Sequence, residues 1–512
     1  MKNLTEIELK FQVPAAARAA LLAEMARGSA APQRMSLAAM YLDTSDRRLA
    51  QAGIAWRLRR EGRRWVQTLK AGGTNALERF EHEVARADAS HDASVHAGSP
   101  TGDKLMATLG DAQAEGAEVG VRFQTDVRRT SRTLRTRGAV VEVAFDEGRL
   151  LSQGASQRIR EIEFELVSGS AAAMLALAER WRKRFGLILD PRSKAERGDR
   201  LAEGSAYPPL RKSNRLTYPD EATATQAFGT VLDECLAHIT HNAIGLIEGD
   251  PALRVEHVHQ LRVGIRRLRS ALRSFAGWAP SPPDHLVDGL RALFATLGQS
   301  RDRDVLDSGV AALLAEIGAP PLAVAASGGG PDPAEAVRAG ETQGLLLAWI
   351  TWRTALAEQP PPMLDAAPTE PDTAAPPQAD DDGSAFHRKA ERRLRRWHRR
   401  IVADWNAFDT LDDTGLHALR KRIKRQRYAV EFFAPVFRRR SIERYLKPLA
   451  TIQDRMGELN DLFVARASYQ ALVATDPAAW FALGWLAARI ADVRSLAKPE
   501  LGRLAKVDPP SC

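Results

Sequence analysis

Cysteine is nearly missing from this chain of 512 residues: Cys235 and Cys512 are the only two. Two thiols cannot build a disulfide framework, and such scarcity points to a reducing compartment. No basic stretch followed by an apolar run opens the sequence, so no secretory signal is expected. No apolar run is long enough to cross a bilayer. No His/Cys cluster has metal-site spacing. These absences predict a soluble, cytoplasmic protein without a membrane partner. What is present is ordinary for a globular protein, 44% hydrophobic and 27% charged residues, at a length that allows roughly two to four domains. Lys and Arg number 73 against 64 Asp and Glu, a net charge of +9, which favours anionic partners.

The first 203 residues are organised around period-two alternation. In Glu6-Ile7-Glu8-Leu9-Lys10-Phe11 the charged residues share one face of a strand and the apolar ones the other. The pattern returns at Arg57/Arg59, at Trp65 to Lys70, at Arg79/Glu81/Glu83, around Val140 to Phe145 and at Glu161/Glu163/Glu165. Gly62 separates two of these runs, which read as a hairpin. Residues 14–27 and 171–185 read as helices. A solvated sheet face could carry such charges, but it usually mixes signs loosely. Here like-signed pairs recur at strict two-residue spacing: Glu6/Glu8, Arg57/Arg59, Glu81/Glu83, Glu163/Glu165. Close like charges are unfavourable unless an opposite charge lies between them. Carboxylate pairs suit a hard divalent cation; Arg and Lys pairs suit phosphate. A barrel whose interior held both would bind a metal–polyphosphate complex.

Glu6-x-Glu8-x-Lys10 resembles the signature of the CYTH superfamily, the triphosphate tunnel metalloenzymes. Tyr41-x-Asp43-Thr44-x-Asp46, Leu49 with Gly53, Arg57-x-Arg59, Thr68-x-Lys70, Arg79-x-Glu81-x-Glu83, Glu161-x-Glu163-x-Glu165 and Ser193-Lys194-x-x-Arg197 follow in family order. The resemblance implies an eight-stranded antiparallel β-tunnel. It implies Glu6, Glu8, Glu163 and Glu165 as metal ligands for Mg²⁺ or Mn²⁺, and Asp146 is a further acid near a strand end. It implies Lys10, Arg57, Arg59, Lys70, Arg79, Arg128, Lys194 and Arg197 as phosphate ligands, with Glu81 or Glu83 taking the proton of the attacking water.

Residues 204–222 lack any sustained period and read as a linker. Beyond them long amphipathic patterns predict an all-helical half, for an α+β chain as a whole. A repeat is visible: His259-x-x-Arg262-x-x-x-Arg266-Arg267-x-Arg269 returns 158 residues later as His417-x-x-Arg420-x-x-x-Lys424-Arg425-x-Arg427. His259, Arg262, Arg266, Arg269 and Arg273 fall in one sector of a helix, and no acid interrupts residues 259–273 or 417–427. Solvated helices normally intersperse Glu among Lys and Arg. An anion between the two stripes would relieve them; ordinary basic faces paired with Asp302, Asp304 and Asp461 are the alternative. This half resembles the CHAD family of histidine-containing α-helical domains, which implies a two-repeat bundle (about 223–315 and 385–512) with a basic channel for inorganic polyphosphate. Phe386 to Arg400, with eight basic residues and Glu391 as its one acid, reads as another basic helix. Residues 316–384 read as a flexible insert, Pro-, Ala- and Asp-rich toward its end.

The function expected is metal-dependent hydrolysis of inorganic triphosphate beside a polyphosphate-binding helical domain, with polyphosphate granules as one cellular address. Two alternatives stand: an organic triphosphatase acting on thiamine triphosphate or a nucleotide, and a non-catalytic polyphosphate scaffold. Nucleic acid is disfavoured, because few aromatics interleave the basic stripes.

Overall fold

A computed structural model of the chain describes residues 5–28, 31–73, 75, 77–219, 221–305, 310–320, 331–358 and 383–511. They group into two compact units. One spans residues 1–211 with 236–257 and 337–359; the other spans 212–235, 258–336 and 360–512.

The alternating segments of the first unit form β1 (Thr5–Gln12), β2 (Gln33–Thr44), β3 (Ile54–Glu61), β4 (Arg64–Gly72), β5 (Glu78–Arg86), β6 (Val119–Thr136), β7 (Ala139–Ser152) and β8 (Ala155–Gly169). They pair antiparallel in the order β5-β4-β3-β2-β6-β7-β8-β1, and β1 returns to β5, closing an eight-stranded barrel. The expected β-tunnel is therefore present. The hairpin expected at Gly62 joins β3 to β4 with Gly62 at φ 62°, a conformation glycine adopts without steric cost. A short β9 (Ile188–Leu189) adds to the far end of β1.

Five helices belong with the barrel: α1 (Arg18–Met25), α2 (Arg48–Gln51), α3 (Pro100–Ala114), α4 (Ala171–Phe185) and α5 (Lys194–Ala202). The outward apolar residues of β1 and β8 are buried beneath α4, where the rings of Phe11, Phe164 and Trp181 meet edge to face at 5.9 and 5.8 Å. A second outer core joins Leu42, Leu49, Ile54, Trp56, Leu58 and Leu69 to Leu105 of α3. Inside the barrel, α5 contributes Leu201 to a cluster with Leu37, Tyr41, Phe123, Val127 and Ile159. Ser193 caps α5 by accepting from the Glu196 amide. Gly198 lets the helix approach the wall: a Cβ there would lie 2.1 Å from the Phe123 ring.

The further described α-helices are α6 (Ala224–Glu248), α7 (Arg254–Ser274), α8 (Asp284–Val305), α9 (Ala311–Glu316), α10 (Pro333–Arg338), α11 (Gly340–Glu358), α12 (Gly383–Asn406), α13 (Asp413–Phe433), α14 (Arg439–Leu472) and α15 (Ala479–Ala505). The repeat reaches element lengths: α7 and α13 each hold 21 residues. The flexible insert expected over 316–384 needs correction. Within it α10 and α11 form, and Leu347, Trp349 and Ile350 of α11 are buried; the apolar run drives this helix despite the Gly- and Pro-rich flanks. The acidic stretch 359–382 lies outside the described residues.

Candidate active site

Strand register decides which side chains share the barrel interior. Lys10 stands opposite Glu163, Glu8 opposite Glu165 and Glu6 opposite Arg79. Arg57 stands opposite Thr68, which stands opposite Glu83; Lys70 stands opposite Glu81. Cross-strand partners point to the same face, so one interior collects Glu6, Glu8, Lys10, Arg57, Arg59, Lys70, Arg79, Glu81, Glu83, Glu163 and Glu165. Asp146, opposite Glu161, joins them. Lys194 and Arg197 enter from α5.

Three carboxyl groups crowd around Glu6. Glu81 and Glu165 each share a hydrogen bond with it, and Glu8 is a near like charge. Burial, then the bond to Glu81, pushes Glu6 up to about 10. Burial likewise raises Glu165. Glu81 is the ionised member: burial opposes it, but its bond to Glu6 and the charges of Lys70 and Arg57 hold it well below the usual carboxylate range. Lys70 bridges Glu6 and Glu81 at 3.0 and 2.9 Å. Carboxyl groups that must share protons to coexist form a hard oxygen donor set, the donor chemistry a divalent cation would take.

Across the tunnel, Arg57 lies 3.6 Å from Glu81 and 3.8 Å from Glu83, and Arg59 lies 3.1 Å from Glu83. Burial and the adjacent Arg57 lower Arg59. Arg59 also pairs with Glu61, and among the described residues its buried Nε has no hydrogen-bond partner.

A second acidic cluster is already neutralised. The oxygens of Asp146, Glu161 and Glu163 lie within 4.8 Å of one another. Lys194 Nζ sits 2.7, 2.6 and 2.8 Å from them. Arg129 reaches Asp146 and Glu163 at 2.7 and 2.6 Å. Burial opposes ionisation of Glu163, but Lys194 and Arg129 hold it well below its ordinary range. Arg197 binds Glu161 at 2.8 Å and the Arg158 carbonyl. Asp146 and Glu163 thus pair with protein cations here.

The structure corrects one residue. Arg128 stands opposite Glu147 on the outer face and is exposed; its neighbour Arg129, opposite Asp146, points inward. Alternation alone cannot set the phase of a long strand whose partner is unknown. Sequence reasoning placed Glu161 in its motif without giving it a role, and it missed Glu142, which stands opposite Glu165. Glu161 carries the same alternation as Glu163, and that signal was available.

In the second unit the stripe of α7 packs around one ring: Arg262, Arg266 and Arg269 lie 4.7, 6.0 and 5.8 Å from the centre of Phe294. Burial lowers Arg420; Asp461 works against this, and Arg266 from the other copy adds to it. Burial and then Arg273 lower Arg425. The two copies therefore bring like charges together. Among the described residues, the buried Nε atoms of Arg266, Arg420 and Arg425 have no hydrogen-bond partner. Arg427 is engaged, 3.1 Å from Glu431. His417 is exposed and His259 half-buried, as is Lys424. The side chains of Asp302 and Asp304 lie outside the described residues.

A family model described as CYTH domain matches residues 4–198, and one described as CHAD domain matches residues 230–470. An inorganic triphosphatase of Haemophilus influenzae is 28% identical over 199 residues, 38% of this chain and 54% of that protein. The chain thus spans about half the length of the curated relative it matches. The CHAD domain from the plant Ricinus communis is similar over 59% of this chain and 99% of its own, at 29% identity and a TM-score of 0.44. A Hippeastrum protein described as having a dominant triphosphatase activity covers 37% of this chain and 92% of its own, at 18% identity and a TM-score of 0.28. No helix among the described residues is long and apolar enough to cross a membrane.

Proposed function

The chain belongs to the CYTH family through residues 4–198 and to the CHAD family through residues 230–470, and from that premise we propose that its tunnel hydrolyses inorganic triphosphate to diphosphate and phosphate. The observation that carries this reading is the single charged interior, in which Glu6, Glu8 and Glu165 face Arg57, Arg59, Lys70 and Arg79.

Glu6, Glu8 and Glu165 would hold Mg²⁺ or Mn²⁺; Asp146 and Glu163 would join them only by exchanging Arg129 and Lys194 for the ion. When bound, such an ion supplies charge neutralisation and acidifies water. The chain's own residues do the rest. Arg57, Arg59, Lys70 and Arg79 bind and straighten the phosphate chain, and Lys10, Lys194 and Arg197 extend that surface. Glu83 and Glu81 lie beside these cations, placed to accept the proton of a water that attacks the terminal phosphorus in line. The basic stripes of α7 and α13 bind inorganic polyphosphate through Arg266 and Arg420. The tunnel domain is taken as residues 1–203 and the helical domain as 223–512, in a cytoplasmic protein.

The test is phosphate release from triphosphate, ATP, thiamine triphosphate and long polyphosphate, each with Mg²⁺, Mn²⁺ or a chelator. Rapid, metal-dependent release from triphosphate alone is the expected result. Rapid release from the organic triphosphates, or none from any substrate, overturns it.

A further inference from the structure

The closed wall of the tunnel has a thin place beside Lys10. On that side β1 pairs with β5 only over Thr5–Ile7 and with β9 only over Phe11–Gln12. A cavity opens there, bordered by Glu8, Lys10, Arg79 and Asp190 and backed by Leu236 and Thr240 of α6 and Ile350 of α11. Lys10 projects inward directly opposite Glu163. Glu163 is already paired with Lys194 and Arg129, but a flexible ammonium opposite it would still be drawn into that network and lose its use toward an anionic substrate. Instead its Nζ donates to the backbone carbonyl of Arg192.

That carbonyl is held in place by a chain of buried contacts. Arg192 forms a two-pronged pair with Asp190, Nε to Oδ1 at 2.8 Å and Nη2 to Oδ2 at 2.7 Å. Asp190 is tied to β1 twice: its amide donates to the Lys10 carbonyl at 3.1 Å, and it accepts from Gln12 Nε2 at 2.8 Å. The outer edge of the Arg192 guanidinium is fixed by Glu248 of α6, 2.7 Å away. Glu248 lies in the segment 236–257 that packs into the same unit as the barrel.

We propose that Glu248 is a positioning residue for the tunnel, acting through Arg192 to keep the Lys10 ammonium turned away from Glu163 and available to triphosphate. The inference rests on the triphosphate reading above. Bidentate Arg–carboxylate pairs fix geometry as well as charge, so releasing one end loosens the carbonyl that Lys10 grips.

The test is a double-variant cycle on the full chain, with the dissociation constant of inorganic triphosphate read by calorimetry. Glu248→Ala and Glu248→Gln are each expected to weaken binding roughly three- to tenfold, whatever stability they lose. Lys10→Ala is expected to weaken it further. The combined variant should bind no more weakly than Lys10→Ala alone, a result that a purely structural role would not give. Additive losses, unaltered binding in both Glu248 variants, or unaltered binding in Lys10→Ala overturn the proposal. A wild type that binds triphosphate without releasing phosphate defeats the hydrolase reading, while the cycle still decides the coupling.

Discussion

Glu6 and Glu81 share a hydrogen bond inside the tunnel although both are carboxyl groups. Burial and that bond raise Glu6 to about 10, so the folded protein keeps a proton there that an unfolded chain has released. The sign follows from linkage: an acid raised on folding stabilises fully below its unfolded range and loses that contribution as pH climbs through the folded value. The metal-free protein should therefore melt at progressively lower temperature from about pH 4.5 toward 10. Glu6→Gln should flatten that slope. Mn²⁺ binding near neutral pH should expel about one proton, read as a dependence of the calorimetric heat on buffer ionisation enthalpy. A pH-independent midpoint in the wild type would contradict the shared proton.

Lys194 answers three carboxylates at once. Removing one partner from a buried ionic network leaves uncompensated charge and costs about 3–5 kcal/mol. Lys194→Met should lose stability on that scale in urea, because Arg129 and Arg197 alone then face Asp146, Glu161 and Glu163. Lowering the pH should recover part of the loss by protonating the stranded acids. An unchanged unfolding midpoint would show that the network carries no net stability.

Arg128 and Arg129 are adjacent in sequence and opposite in consequence. Arg129→Ala removes two buried ion pairs, 2.7 Å to Asp146 and 2.6 Å to Glu163, and should cripple triphosphate hydrolysis and lower the melting temperature. Arg128→Ala changes an exposed outer position and should stay within about 0.5 kcal/mol of wild type in stability, with turnover intact. Equal effects of the two variants would contradict the register.

That pair also marks where the sequence stops being legible. Short strands with an apolar face declare their own phase: Ile7, Leu9 and Phe11 must face out of the barrel, so Glu6, Glu8 and Lys10 must face in. β6 is 18 residues long, and its pairing with β2 shifts register between Tyr41 and Leu42. There the phase depends on a partner strand that no local pattern reveals. The α5 plug was visible as the motif Ser193-Lys194-x-x-Arg197, but its place inside the barrel rests on the close approach at Gly198. Helix α11 was hidden for a different reason: its neighbours are rich in Gly and Pro, and averaging over 316–384 diluted an apolar run.

Gly198→Ala probes that close approach. A methyl group placed 2.1 Å from Phe123 must move the ring or the helix, and overpacking of this kind costs about 1–3 kcal/mol. Lys194 and Arg197 flank the site on the same helix, so displacement should also reduce turnover. Phe123→Leu in the Gly198→Ala background should restore part of both losses. Wild-type stability in Gly198→Ala would show that α5 is not seated against the wall.

On the helical unit, the two copies bring like charges together. Burial and Arg266 lower Arg420 even against the pull of Asp461, so a bound anion would relieve the crowding. Arg420→Met should therefore raise the melting temperature of the free protein while weakening polyphosphate binding, two effects a merely structural arginine would not combine. Polyphosphate should stabilise the wild type by mass action, with an affinity that falls steeply with salt; the slope should shrink in Arg420→Met. Arg427 is already committed to Glu431 at 3.1 Å, so Arg427→Met should leave the salt slope nearly as it was. If Arg427→Met weakened binding as much as Arg420→Met, the anion would lie along the whole stripe rather than where the two copies crowd their charge.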